Sequence, residues 1–282
     1  MRVNIVVTGV AEQKGIVSFL EKIFDDVEFR SVRFDGFTSI RMSPEATVPA
    51  AANIPTNVAE LATFFVEAVN SRGGEQFVLL EDLEVANLDQ PSVVIQCFLN
   101  AVNAIVDKKR PYHTTTENNL KERAAFHLLS PMLESYFFAD DNVLNSLELQ
   151  SQPSLANQDV EGFSVNDQGF LDSISGLCPI SNGGQTWQPA AWYGSHPKHY
   201  LKYLRTPSNP YDPEIPNYKE SRVGAEALRN LNQQAVLANT EAAQFFRAFL
   251  TDLAWQLGQE GKIAHGISHP LTSGEGTTLR NI

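Results

Sequence analysis

Cysteine is scarce: Cys97 and Cys178 are the two in a chain of 282 residues. Two thiols make no disulfide framework for a chain this long, so a reducing compartment is expected. Cys97 sits in the apolar run 93–106 and reads as a small buried hydrophobe, while Cys178 lies in a Gly/Pro/Ser segment. No uninterrupted apolar stretch of about 18 residues occurs, so no membrane-spanning helix is expected. The N-terminal apolar run 3–7 is too short for a secretory signal, and Glu12 and Lys14 follow closely. These absences point to a cytoplasmic protein with no membrane partner. Basic side chains are also few, 21 against 33 acidic ones, for a net charge of -12. Such a chain repels nucleic acid in bulk, so any contact with nucleic acid needs a local basic patch, a bridging metal or a basic partner. Ser130 and Ser195 lack the Gly-x-Ser-x-Gly elbow of a hydrolase, and Thr8-Gly9 lacks the Lys-Ser/Thr ending of a phosphate loop.

What is present is globular. Hydrophobic residues make up 43% and charged residues 19%, enough to bury a sizeable core. Residues 3–7 are apolar apart from Asn4, which suits a strand covered on both faces. Residues 12–24 carry Ile16, Phe19, Leu20 and Ile23 at helical spacing. Residues 27–34 alternate like a half-buried strand, and 35–56 read as a long loop. Asn57, with Glu60 three residues on, predicts a helix start that runs to about residue 70, before Gly73-Gly74. Strand 76–80 leads straight into Glu81-Asp82-Leu83-Glu84. Pro91 opens a helix over 93–106, residues 124–129 read as a strand, and 131–139 as a short helix. This order predicts an α/β fold: an open, mostly parallel sheet with helices on both faces over residues 1–149. Residues 150–257 read as a loop-rich, helical extension packed on that core, with firmer helices at 219–231 and 240–257. Residues 258–282 read as a tail, disordered where nothing ties it down.

Ligands of open parallel sheets sit at the carboxyl ends of the strands. The turns after Val7 and Leu80 are therefore the places to look, and they carry Glu12, Glu81, Asp82 and Glu84. Hard cations such as Mg²⁺ or Mn²⁺ take carboxylate oxygens, one or two from protein and the rest from water and phosphate. In extended chain Asp82 and Glu84 would face one way and converge on one ion. A one-residue shift in the strand end would put Glu81 there instead. Acidic residues in such turns also serve simply as caps and solubilising groups.

At these residues a resemblance enters. Thr8-Gly9-Val10-Ala11-Glu12 resembles the Glu-Gly-x-x-Glu turn that opens Toprim domains of the overcoming-lysogenization nuclease type. Residues 77–84 resemble the strand and Asp-x-Asp of that fold. Residues 129–140, with Glu134 and Asp140, resemble the Glu-Ala-Trp-Leu-Leu-Ala-Asp signature of a bacterial Toprim-like family of unknown function. His196-Pro197-Lys198, Tyr218-Lys219 with Gly224, and Phe245-Phe246-x-x-Phe249-Leu250 resemble its later segments. The resemblance implies a Toprim-like core with a metal at Glu12, Asp82 and Glu84, and Glu12, Asp82 and Glu134 as catalytic residues. It also implies an AAA/ABC-type ATPase as partner, since members are often encoded beside one. The first glutamate of the opening turn, usually a catalytic residue, is Thr8 here.

Lys198, Lys202, Arg205, Lys219 and Arg222 form the densest basic region outside 108–110; Lys198, Lys202 and Lys219 are the candidate phosphate-binding residues. Solvation of an exposed face is the plainer role for such a cluster. His196 and His199 with Cys178 lack a fourth zinc ligand. Trp187, Trp192, Tyr193 and Tyr200 either stack bases or close the loop-rich part over the core. Three functions follow: a Mg²⁺- or Mn²⁺-dependent nuclease or other phosphodiesterase; a catalytically degenerate subunit that binds an ATPase, for instance in a defence module; or a nucleotide or small-molecule binding module.

Overall fold

The first strand, β1 (Arg2–Val7), is buried at every residue after Arg2. Its Val3, Ile5 and Val7 enter one apolar layer and Val6 the other, so apolar side chains reach both faces of the sheet centre, while the buried Asn4 amide donates to Glu75 at 2.8 Å. The computed structural model describes the chain except residues 38, 41, 43–46, 51–52, 110, 176–180, 183–184, 187–193, 209–217, 239–243, 265, 270–277 and 281. Cys178, Trp187, Trp192, Tyr193 and His265 thus lie outside the described residues.

After β1 come α1 (Val10–Leu20), β2 (Glu28–Arg33), α2 (Thr56–Ser71), β3 (Gln76–Asp82), α3 (Pro91–Lys108), α4 (His113–Arg123) and β4 (Ala124–Leu129). Strands β1 to β4 are parallel, in the spatial order β2-β1-β3-β4. One apolar layer packs α2, α3 and α4 on the sheet. The other packs α1 together with elements from the second half of the chain. Those elements are a 3₁₀ turn (Leu133–Ala139), α5 (Asp141–Ser146), α6 (Gln168–Ser175), α7 (Pro197–Arg205), a π-helical turn (Glu220–Gly224), α8 (Ala225–Asn230), α9 (Gln233–Ala238) and α10 (Gln244–Leu257). A two-stranded hairpin, β5 (Ser181–Asn182) and β6 (Gln185–Thr186), stands apart from the main sheet. The fold is thus α/β with a mostly parallel sheet. No helix among the described residues is long and apolar enough to cross a membrane.

Several expectations are corrected. Asn57 is not the cap of α2: the helix starts at Thr56 behind Pro55, and the Asn57 amide donates to the Ser39 carbonyl at 2.9 Å. Strand β3 runs to Asp82, two residues further than expected, because Glu81 and Asp82 stay paired with Leu128 and Leu129 of β4. The C-terminal residues are not simply a tail. Residues Thr278–Arg280 form β7, which adds antiparallel to β4 and completes a five-stranded sheet.

Candidate functional site: an acidic cleft at the strand ends

Strand β1 is flanked by β2 on one side and β3 on the other, so the chain leaves the sheet centre in opposite directions. That arrangement opens a crevice at the carboxyl ends of β1 and β3, the usual ligand position in such sheets. A cleft of about 260 Å³ lies there. Its lining includes Glu12, Asp82, Glu84, Glu134 and Lys198. Glu12 comes from the first turn of α1, Asp82 from the end of β3, Glu134 from the 3₁₀ turn and Lys198 from the first turn of α7. Four elements and the turn after β3, which carries Glu84, therefore bring five sequence-predicted residues to one cavity.

Each carboxylate is held differently. Asp82 Oδ1 accepts the backbone N–H of Leu133 at 2.9 Å, which ties the 3₁₀ turn to β3. Glu134 is buried and accepts from the Tyr218 hydroxyl at 2.9 Å. A Cβ on Gly224 would lie 2.4 Å from that hydroxyl, so glycine is what lets Tyr218 occupy its place. Glu12 folds back over Gly9, where a Cβ would come within 1.9 Å of Glu12 Oε2. Gly9→Ala should therefore push the Glu12 carboxylate out of its seat and cost little stability, because the atom displaced is the far end of a flexible side chain. A thermal melt beside a Mn²⁺ titration checks this: the melt stays near wild type and the titration weakens.

Glu84 departs from the extended geometry expected of it. Its φ of 69° lies in the left-handed region, and its N–H donates to the Pro131 carbonyl at 2.7 Å. A non-glycine residue there carries strain of about 1–3 kcal/mol and persists only where its surroundings hold it. The turn re-aims the chain while keeping Glu84 on the cleft wall. Glu81 lines the cleft as well, so it and Glu84 are both candidates for the carboxylate beside Asp82. Glu81 is buried, and the Thr8 hydroxyl donates to its Oε2 at 2.5 Å. Thr8 thus fixes a neighbouring glutamate.

The electrostatics follow from crowding. Burial, then the charge of Glu134, pushes the Glu12 carboxyl up to about 7. Burial, then Glu12, Glu134 and Glu84, holds Asp82 well above the usual carboxylate range, and burial does the same to Glu81. Lys198 is the counterweight. Its Nζ lies 3.0 Å from Glu220 Oε1 and 3.7 Å from Glu134 Oε1. Burial works against its charge, but Glu134, Glu220 and Asp82 together outweigh it, so the ammonium is held above the ordinary lysine range. Arg33, at the end of β2, is a cleft residue that sequence reasoning missed. Its Nε donates to the Thr8 carbonyl at 3.2 Å, and its register opposite Val7 is the signal that would have found it.

No family model, curated protein or solved structure matches the chain.

The remaining candidates lie elsewhere. Lys202 does not line the cleft; burial and the nearby Lys198 lower its pKa. Lys219 faces a different cavity, although its neighbour Glu220 faces this one. His196 and His199 pack edge to face at 4.3 Å, and burial holds both below the ordinary imidazole range, His199 at about 4. Among the described residues no three His, Cys, Asp or Glu side chains stand ready to hold a metal ion. For a cation in the cleft the donor chemistry fits, since every donor is a carboxylate oxygen and the excess negative charge lacks enough cations. Mg²⁺ is usually held by one or two carboxylates, with water and phosphate completing its shell.

Proposed function

We propose that this protein is a Toprim-like phosphodiesterase that works with Mg²⁺ or Mn²⁺ in the cleft between β1 and β3. The observation that carries the reading is the convergence of Glu12, Asp82, Glu84 and Glu134 with Lys198 at one pair of strand ends. Asp82 with Glu12 or Glu84 would hold the ion. A bound cation would lower the pKa of a water molecule and offset charge on the phosphate. Lys198 keeps its proton and would pair with a phosphate oxygen, and Arg33 offers a second cation across the cleft. Glu12, at about 7, exchanges its proton near neutrality, where an acid–base group is most effective.

The direct test is cleavage of bis-p-nitrophenyl phosphate and of single-stranded DNA by the full chain, with Mn²⁺ and with EDTA. Metal-dependent cleavage lost in Asp82→Asn is expected. Intact substrates under all conditions would leave the rival reading, a degenerate Toprim-like subunit docked on an ATPase, which Thr8 in the opening turn favours.

A pH signature accompanies the reading. The Glu12 carboxyl is raised, so its protonated form is the one the metal-free fold prefers. Its stabilising contribution is full below the ordinary value of 4.5 and is lost as pH rises through about 7. A cation reverses this, because it binds the ionised form. The Mn²⁺-induced rise in Tm should therefore be larger at pH 8 than at pH 6. Asp82 is raised as well, so an equal or opposite rise would count against both carboxylates as ligands, and Glu12→Gln beside the wild type separates the share of Glu12.

A further inference from the structure

The wall that carries Glu220 into the acidic cleft has a second side. Lys219 and Arg222 line a separate cavity of about 440 Å³, as do Arg205 at the end of α7 and Leu147 and Glu148 just beyond α5. Three cations face two carboxylates there, Glu148 and Glu226, in a chain whose net charge is -12. The excess of positive charge is local, against the trend of the composition.

Arg205 is the built part. Its side chain is 13% exposed, its Nη1 donates to the Leu147 carbonyl, and its Nη2 reaches Glu148 at 3.3 Å. Its Nε is buried, with no hydrogen-bond partner among the described residues. A buried donor left without an acceptor is costly and calls for an explanation. Glu148 is 83% exposed, so its hold on Arg205 is that of a solvent-screened surface pair. Lys219 and Arg222 stand at the exposed rim, three residues apart on the same wall. An acceptor-rich anion entering this cavity would meet the planar Arg205 guanidinium and the exposed Lys219 and Arg222 cations.

We infer that this cavity binds the phosphate end of a small organic phosphate of nucleotide size. Arginine forks match phosphate oxygens in geometry as well as charge. The volume falls in the range of about 300–1,000 Å³ typical of small-molecule sites. The site is separate from the carboxylate cleft and requires no metal.

The test titrates the full chain with ADP and with inorganic pyrophosphate by calorimetry, in EDTA. Chelation keeps the cation reading of the cleft out of the measurement, so the two ideas fail separately. Saturable binding is expected in the wild type and in the cleft variant Asp82→Asn. Lys219→Glu and Arg222→Glu sit on exposed positions and should fold; each should weaken binding at least about tenfold, and added salt should weaken it further. Absence of saturable binding, or binding indifferent to both charge reversals, overturns the inference. So does binding of a single-stranded oligonucleotide through these residues with no binding of ADP, which would make the cavity a polymer contact.

Discussion

Asp82→Asn is expected to abolish saturable Mn²⁺ binding while leaving the metal-free protein at least as stable as the wild type. The two halves have one cause. The backbone bond from Leu133 needs only an acceptor, and an asparagine carbonyl supplies one, so the 3₁₀ turn keeps its anchor. What disappears is a charge the fold does not favour: burial and the nearby Glu12, Glu134 and Glu84 hold the Asp82 carboxyl well above its ordinary range. A raised carboxyl contributes stability that is full below its ordinary value and lost as pH rises through the folded one. The gain from asparagine should therefore show at neutral and alkaline pH and vanish in acid. For the metal the same charge is the ligand. Losing a residue that merely orients a ligand costs about 10–100-fold in affinity, so losing the ligand should cost more. Urea denaturation in EDTA, beside a Mn²⁺ titration, reads both effects. Wild-type affinity in the variant would take Asp82 out of the site. A clear loss of metal-free stability would mean that its charge already has a partner in the fold.

Much of this architecture is legible in the residues because the signals are local. The valines and isoleucine of β1 and the acidic residues just past Val7 and Leu80 place the strands and the cleft directly. Glu134 could be singled out because a carboxylate inside Leu133–Phe138 must find a partner, and Tyr218 proves to be one. What was hidden depends on distant pairing. Helix α4 (His113–Arg123) has only Thr116, Leu120 and Arg123 buried, so its polar sequence carries almost no apolar period. The Glu84 turn is fixed by a bond to Pro131, 47 positions further on, which no local pattern encodes. Lys198 and Lys219 look alike in sequence. They face different cavities: Lys198, in the first turn of α7, lines the carboxylate cleft, and Lys219, just before the π-helical turn, lines the other. Strand β7 is three residues long, and its place is set by distant partners, the edge of β4 and Asp252 of α10.

That edge carries the largest expected effect on stability, in Asp252→Ala. Asp252, on α10, is fully buried, and its two oxygens serve four side chains. His127 Nε2 of β4 lies at 2.9 Å and Gln256 Nε2 at 3.2 Å from Oδ2; Arg280 Nε of β7 lies at 3.0 Å and His269 Nε2 at 3.2 Å from Oδ1. One carboxylate therefore ties the last helix to the sheet edge and to the C-terminal strand. Removing one partner of a buried ion pair typically costs about 3–5 kcal/mol, because the other charge is left in the interior. Here that charge is the Arg280 guanidinium, whose residue is only 5% exposed. Set against a total stability of about 5–15 kcal/mol, the loss is a large fraction. It corresponds to a Tm lower by roughly 10 °C. Burial alone would raise the Asp252 carboxyl, but the bond to His127 and the charges of His127, Arg280 and His269 outweigh it, so the net shift is downward. A lowered carboxyl contributes stability that is present above its ordinary value of 3.8 and lost as pH falls through the folded one. The gap between wild type and variant should thus hold at neutral pH and close only in strong acid. Hydrogen exchange at Leu279 and Arg280 separates this account from general softening. If β7 is held through Asp252, its amides lose protection more than those of β1 and β3. Once β7 leaves, β4 presents an unpaired edge, and the variant should aggregate faster than its loss of stability alone implies. Equal loss of protection across the sheet would instead make Asp252 one core contact among many.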